Sequence, residues 1–175
     1  LAPEAPPMSE DVRRVREELA LMLGRHRRKP RTHRQRLDHL LVVDPSESVL
    51  RFMADHLTRF GFEVHLARDG AEALRRVQQR HFEFIFVAAS LDGVDGFHVC
   101  RTLQRQPYPH AQRRPTVVLL LDNDSPVQRL RAEQGGADAW LDKPLAATPL
   151  LRVVGQRELA HQADAETTRA STTLL

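Results

Sequence analysis

Cysteine, lysine and large aromatics are scarce in this chain. Its 175 residues hold one Cys, one Trp and one Tyr, and two Lys stand against 24 Arg. A lone Cys cannot close an internal disulfide. That excludes a stapled secreted scaffold and makes a reducing, cytoplasmic compartment the simplest expectation. Cys100 falls in an apolar helical pattern, so an inert core thiol is expected rather than a reactive one. No apolar run approaches the roughly 20 residues that cross a bilayer, and no membrane span is expected. Residues 1–7 are rich in Pro and Ala without the layout of a signal peptide, and the first residue is Leu rather than Met, which leaves room for a segment upstream. No phosphate-cradling glycine loop and no hydrolase triad is visible, so an enzyme is not expected. Nine histidines (26, 33, 39, 56, 65, 81, 98, 110 and 161) show no paired ligand spacing with Cys or acids, and are expected to be scattered over the surface without a metal.

What is present is a globular balance, 41% hydrophobic and 28% charged. The net charge of +3 is unevenly placed. Residues 1–38 carry ten Lys/Arg against six Asp/Glu, whereas residues 39–175 carry sixteen against seventeen. The positive excess therefore belongs to an N-terminal arm. Within that arm Ser9 can cap a helix, and Val12, Val15, Leu19 and Met22 recur at heptad spacing before Gly24. So short a stripe is marginal alone and must pack on something. Residues 25–36 (RHRRKPRTHRQR) contain Arg25, Arg27, Arg28, Lys29, Arg31, Arg34 and Arg36 and no apolar side chain. Three readings stand: a solvated linker, sequence-blind contact with nucleic acid phosphates, and attraction to an acidic partner or membrane surface. The arm has no stacking aromatics, which weakens the case for single-strand recognition.

From residue 39 the pattern becomes regular. Strands are expected at 39–43, 63–67, 82–88, 116–121 and 139–141. Helices are expected at 46–60, 70–80, 96–104 and 126–134, with a last one opening at 149–154. The first of these should turn Val49, Phe52, Met53, Leu57 and Phe60 to the core, and the second Ala71, Leu74 and Val77. Five alternations of strand and helix, with two strands apolar throughout, predict an α/β fold: a doubly wound five-stranded parallel sheet with an N-terminal helical extension. The division expected is 1–38 as helix and basic arm, 39–155 as the α/β domain, and 156–175 as the end of the last helix and a disordered tail. Ligands in such sheets sit at the carboxyl ends of the strands, here Asp44-Pro45, Ala88-Ala89, Leu121-Asp122 and Asp142-Lys143.

The segments LLVVD (40–44), FGFEVHLARDGAEAL (60–74), LDGVDGFHVCR (91–101) and GADAWLDKP (136–144) resemble response-regulator receiver domains of the CheY-like, flavodoxin-like type. The resemblance covers residues 39–155. It implies a phosphorelay module in which an aspartate ending the third strand accepts a phosphoryl group. Two acids after the first strand hold Mg²⁺, and a Thr or Ser after the fourth strand and a Lys after the fifth bind phosphoryl oxygens. Carried across residue by residue, the acceptor falls on Ala88, eight residues before Gly96. The acid pair becomes Asp44-Pro45, the hydroxyl becomes Leu120, and only Lys143 persists beside Asp44. Ser90 and Asp92 are poorly placed substitutes for the acceptor. Nucleophile, metal ligand and switch donor are thus absent together, which implies a degenerate pseudo-receiver with weak or absent Mg²⁺ binding. Asp44 and Lys143 would then form an ion pair across the former pocket, or Lys143 would keep a residual anion site. Trp140 takes the place of the family's strand aromatic, on the surface of the fourth helix, fifth strand and fifth helix. It would serve either a protein partner or a second copy of the chain, or simply cover the sheet.

Overall fold

The structure, a computed structural model, describes residues 13–15, 17–18, 38–108 and 113–155. Two compact units share the chain, one spanning Gln35–Leu145 and the other combining Leu1–Arg34 with Ala146–Leu175. In the second unit residues 13–15, 17–18 and 147–155 are helical. The rest of the expected N-terminal helix, and the tail, lie outside the described residues. Among the described residues no helix is long and apolar enough to cross a membrane.

The first unit runs β1 (His39–Val43), α1 (Glu47–Arg59), β2 (Glu63–Ala67), α2 (Gly70–Gln79), β3 (Phe84–Ala88), α3 (Gly96–Arg105), β4 (Thr116–Leu121), α4 (Pro126–Gln134) and β5 (Ala139–Asp142). The strands form one parallel sheet in the order β2-β1-β3-β4-β5. The central strands β3 and β4 are buried at every residue. Their FIFVA and TVVLLL sequences suit that position: side chains alternate between the two faces, so a strand covered on both sides must be apolar throughout.

One face packs Leu41, Val43, Ile85, Val87, Leu119 and Leu121 against Ala73 and Val77 of α2, Phe97 and Leu103 of α3, and Ala132 of α4. Leu50, Met53 and Leu57 of α1 are buried outside that cluster, on the side of Leu40, Val42, Phe84 and Phe86. Helices therefore lie on both faces. The α1 stripe is narrower than expected, because Val49, Phe52 and Phe60 are only half-buried. Leu50, Met53 and Leu57 define its axis at three- and four-residue spacing, and the other three fall to one side of it. For the same reason α2 buries Ala73 in place of the exposed Ala71. β3 begins two residues later than expected, at Phe84, although Phe82 is buried against His65 with ring centroids 5.4 Å apart.

Helix ends follow local chemistry. Asp69 and Asp95 cap α2 and α3 by accepting from the Glu72 and Phe97 amides at 2.8 and 2.9 Å. Gly61 closes α1 at φ +98°, a conformation that L side chains rarely adopt. The start of α3 lies so close to the end of β3 that a Cβ on Gly96 would fall 1.8 Å from the Ala88 carbonyl oxygen.

Two outcomes are expected from this packing. Gly96→Ala should lower stability in urea denaturation by about 3 kcal/mol or more, since backbone rather than a movable side chain blocks the methyl group. Cys100 is fully buried, its thiol lies 3.7 Å from the Gly135 carbonyl, and burial pushes its pKa up to about 11. It should resist a thiol-specific disulfide reagent in the native protein and react at once in denaturant.

Candidate functional site

In a sheet of this order the connection after β1 leads to one side, to β2, and the connection after β3 to the other, to β4, so a crevice opens at the carboxyl ends of β1 and β3. Asp44 follows β1 and has no exposed surface. Its amide donates to the Ala67 carbonyl at 3.1 Å, and its Oδ1 accepts from the Ser46 amide at 2.8 Å, which sets the turn into α1. Its Oδ2 meets the Lys143 ammonium at 2.7 Å. That contact lies off the hydrogen-bond direction, so charge rather than alignment holds it. Lys143 is fixed in turn by its own amide, which donates to the Leu121 carbonyl at 2.8 Å. Pro45 begins the following turn and brings no carboxylate to Asp44's side.

Ala88 is the last residue of β3 and pairs across the ladder with Leu120 of β4. Both are fully buried. The end of β3 therefore carries a methyl group beside an isobutyl group, with neither a carboxylate nor a hydroxyl on these two side chains. Two side chains with oxygen atoms follow β3, Ser90 and Asp92. Ser90 Oγ donates to Asp122 Oδ2 at 2.5 Å, and the Asp122 amide donates to Gln128 Oε1 at 3.0 Å. Asp92 is exposed, in an open recess of about 400 Å³ shared with Pro45, Arg68, Asp69 and Val94.

Trp140 lies on β5 opposite Leu119, half-buried against the main core cluster. Beside β5, α4 leaves Val127 67% and Leu130 53% exposed. Arg129 fastens α4 to β5 through Asp142 at 3.2 Å and also contacts Asp124. Asp44 and Lys143 thus meet and Ala88 pairs with Leu120, while Trp140 lies apart from them on β5. Arg25, Arg27, Arg28, Lys29, Arg31, Arg34 and Arg36 lie outside the described residues.

One expectation is corrected: the histidines are not all scattered. His39 Nδ1 and His65 Nε2 stand 3.0 Å apart, with Glu63 carboxylate oxygens 3.6 and 3.5 Å away. Burial first, and then the Arg80 guanidinium, hold the His65 pKa below its ordinary value. The trio was missed because 26 residues separate the two rings in sequence. Only the parallel register of β1 on β2, with His39 opposite Glu63 and Leu41 opposite His65, brings them together.

The sequence model of the response regulator receiver domain matches residues 40–155. The transcriptional regulatory protein TcrA of Mycobacterium tuberculosis is 33% identical over 122 residues, covering 67% of this chain and 46% of that protein. The alkaline phosphatase synthesis transcriptional regulatory protein PhoP of Bacillus subtilis is 29% identical over 107 residues, covering 61% of this chain and 42% of that protein. The match therefore spans less than half the length of these two relatives. Among solved structures, the chemotaxis response regulator CheY4 of Vibrio cholerae superposes with a TM-score of 0.61 at 28% identity, covering 69% of this chain and 98% of that one. With the β2-β1-β3-β4-β5 sheet and this match over residues 40–155, the chain belongs to the response regulator receiver family.

Proposed function

We propose that this receiver is a pseudo-receiver, which serves a cytoplasmic two-component or phosphorelay pathway by binding a protein partner without being phosphorylated. The observation that carries this reading is the end of β3, where buried Ala88 faces buried Leu120 while Lys143 is already occupied by Asp44 at 2.7 Å. Phosphoryl transfer requires an attacking oxygen and cations that neutralise the charge gathering on phosphorus. A methyl group supplies no lone pair, and the one ammonium is neutralised by an internal carboxylate.

Mg²⁺ does not fit the residues present. It is normally held by one or two carboxylates together with phosphate oxygens and water, in near-octahedral geometry. Asp44 Oδ2 faces the Lys143 ammonium, Pro45 offers no oxygen on a side chain, and Ala88 offers none either.

A receiver without this switch acts through a fixed surface. The surface on α4 and β5 suits that role: Val127 and Leu130 expose apolar side chains on a short polar helix, next to the half-buried Trp140. An exposed apolar pair beside an aromatic is the composition found at the centre of protein interfaces. The occupant proposed is another signalling protein or a second copy of this chain.

Intact mass after incubation with acetyl phosphate and Mg²⁺, with Trp140 fluorescence followed in the same sample, tests the reading. No added phosphoryl group and an unchanged emission are expected. A single stable phosphoryl adduct accompanied by a Trp140 response would show that another residue, Asp92 or Ser90, has taken over as acceptor.

A further inference from the structure

We infer that His39, Glu63 and His65 form a binding site for a divalent transition-metal ion of the zinc class at the amino ends of β1 and β2, the end of the sheet opposite Asp44 and Lys143. His39 begins β1, and Glu63 and His65 lie on the adjoining edge strand β2. Alternation along the strands sends His39 to the same face as Leu41 and Val43, and Glu63 and His65 to the same face as Ala67. All three side chains therefore converge on one face.

The geometry is that of a ligand set. With metal–ligand bonds of about 2.0–2.2 Å and tetrahedral angles, neighbouring ligand atoms stand about 3.3–3.5 Å apart. Here the ring nitrogens stand 3.0 Å apart, with Glu63 Oε2 3.6 Å from His39 Nδ1 and Glu63 Oε1 3.5 Å from His65 Nε2. Two imidazole nitrogens pointed at each other at that distance share a single proton, which a metal ion would displace to solvent. Two imidazoles and one carboxylate match zinc-class preferences and leave a fourth position for water. Aim and access are both provided. Phe82 braces the His65 ring edge-on, and the side chains of His39 and Glu63 are 30% and 47% exposed, so an ion can enter from solvent.

Two cations oppose the ion, Arg76, whose charge also reaches His65, and more strongly Arg80. Arg80 Nη1 lies 3.0 Å from His39 Nδ1, where its charge would repel a cation. Arg80 is exposed at the end of α2 and can withdraw into water. It therefore supplies a test that a merely structural role for the histidines would not answer to.

Zinc should be titrated into the metal-free full chain against a chromophoric chelator, with Co²⁺ as a spectroscopic stand-in. One site is expected to weaken by about tenfold or more in both His39→Ala and His65→Ala. It should persist in a variant lacking His26 and His33, and Arg80→Gln should tighten it severalfold. The Co²⁺ complex should show the intense visible absorption of a tetrahedral ion, lost in His65→Ala. Absence of zinc binding to the unaltered chain, or binding untouched by folded His39→Ala and His65→Ala variants, would overturn the assignment. Should those variants unfold by circular dichroism, protection of His39 and His65 from diethyl pyrocarbonate by zinc in the unaltered chain decides the matter. Protection would support the site, and equal modification with and without zinc would overturn it.

Discussion

A carboxylate with no exposed surface must keep a positive partner or give up its charge, and Asp44 keeps Lys143 at 2.7 Å. The two residues come from the ends of β1 and β5, with β3 and β4 between them in the sheet. Their contact therefore spans the crevice at the carboxyl ends of the strands. Several features follow from that span. Ala88 places no charge in the crevice to compete for the ammonium, and Leu120 fills the adjoining space with hydrocarbon. Asp44 Oδ1 is free to accept from the Ser46 amide and fix the start of α1. An acid at position 88 or 45 would add a second negative charge with a single lysine to balance it. Ala88, Pro45 and Leu120 thus leave the Asp44–Lys143 pair without a competing charge at the ends of these strands.

The identity of the cation fits the same constraint. Arginine outnumbers lysine by 24 to 2 in this chain, yet a lysine stands at position 143. An ammonium on a flexible stem concentrates its charge at a point, which suits one carboxylate oxygen at the bottom of a narrow crevice. A guanidinium seeks the paired oxygens that Asp44 cannot present, because Oδ1 belongs to Ser46. Where room allows, the chain uses arginine instead, as in the Arg114–Asp138 pair at 2.9 Å and the Arg131–Asp95 pair at 2.6 Å, both on the surface.

The fold was legible in the sequence at β1 and β4, whereas β3, buried on both sides as well, begins two residues later than its apolar run. LLVV and TVVLLL read as covered strands, and both end where the apolar runs do, the first beginning one residue before its run, at His39. Half-buried elements were read less well. In α1, hydrophobicity counts Val49, Phe52 and Phe60 as core, whereas geometry turns them toward the rim. The Asp44–Lys143 contact was legible because a family resemblance fixed both positions. That resemblance could not indicate that Ser90 is bound to Asp122, a contact between two loops. Nor could any linear spacing join His39 to His65, since their proximity depends on strand order and register together. The two ends of the sheet thus differ in kind: one holds the buried Asp44–Lys143 pair, and the other gathers His39, Glu63 and His65.

A double-mutant cycle on Asp44→Asn and Lys143→Met, read by urea denaturation, tests most directly whether the crevice is held shut by its own charges. Lys143→Met should cost more than Asp44→Asn, because it strands a buried carboxylate, whereas the partly exposed ammonium can turn to water. The double variant should recover part of that loss, giving a coupling energy of about 1–3 kcal/mol. Costs that add within about 0.5 kcal/mol would show that the two charges are independent and that the crevice remains open for another ligand.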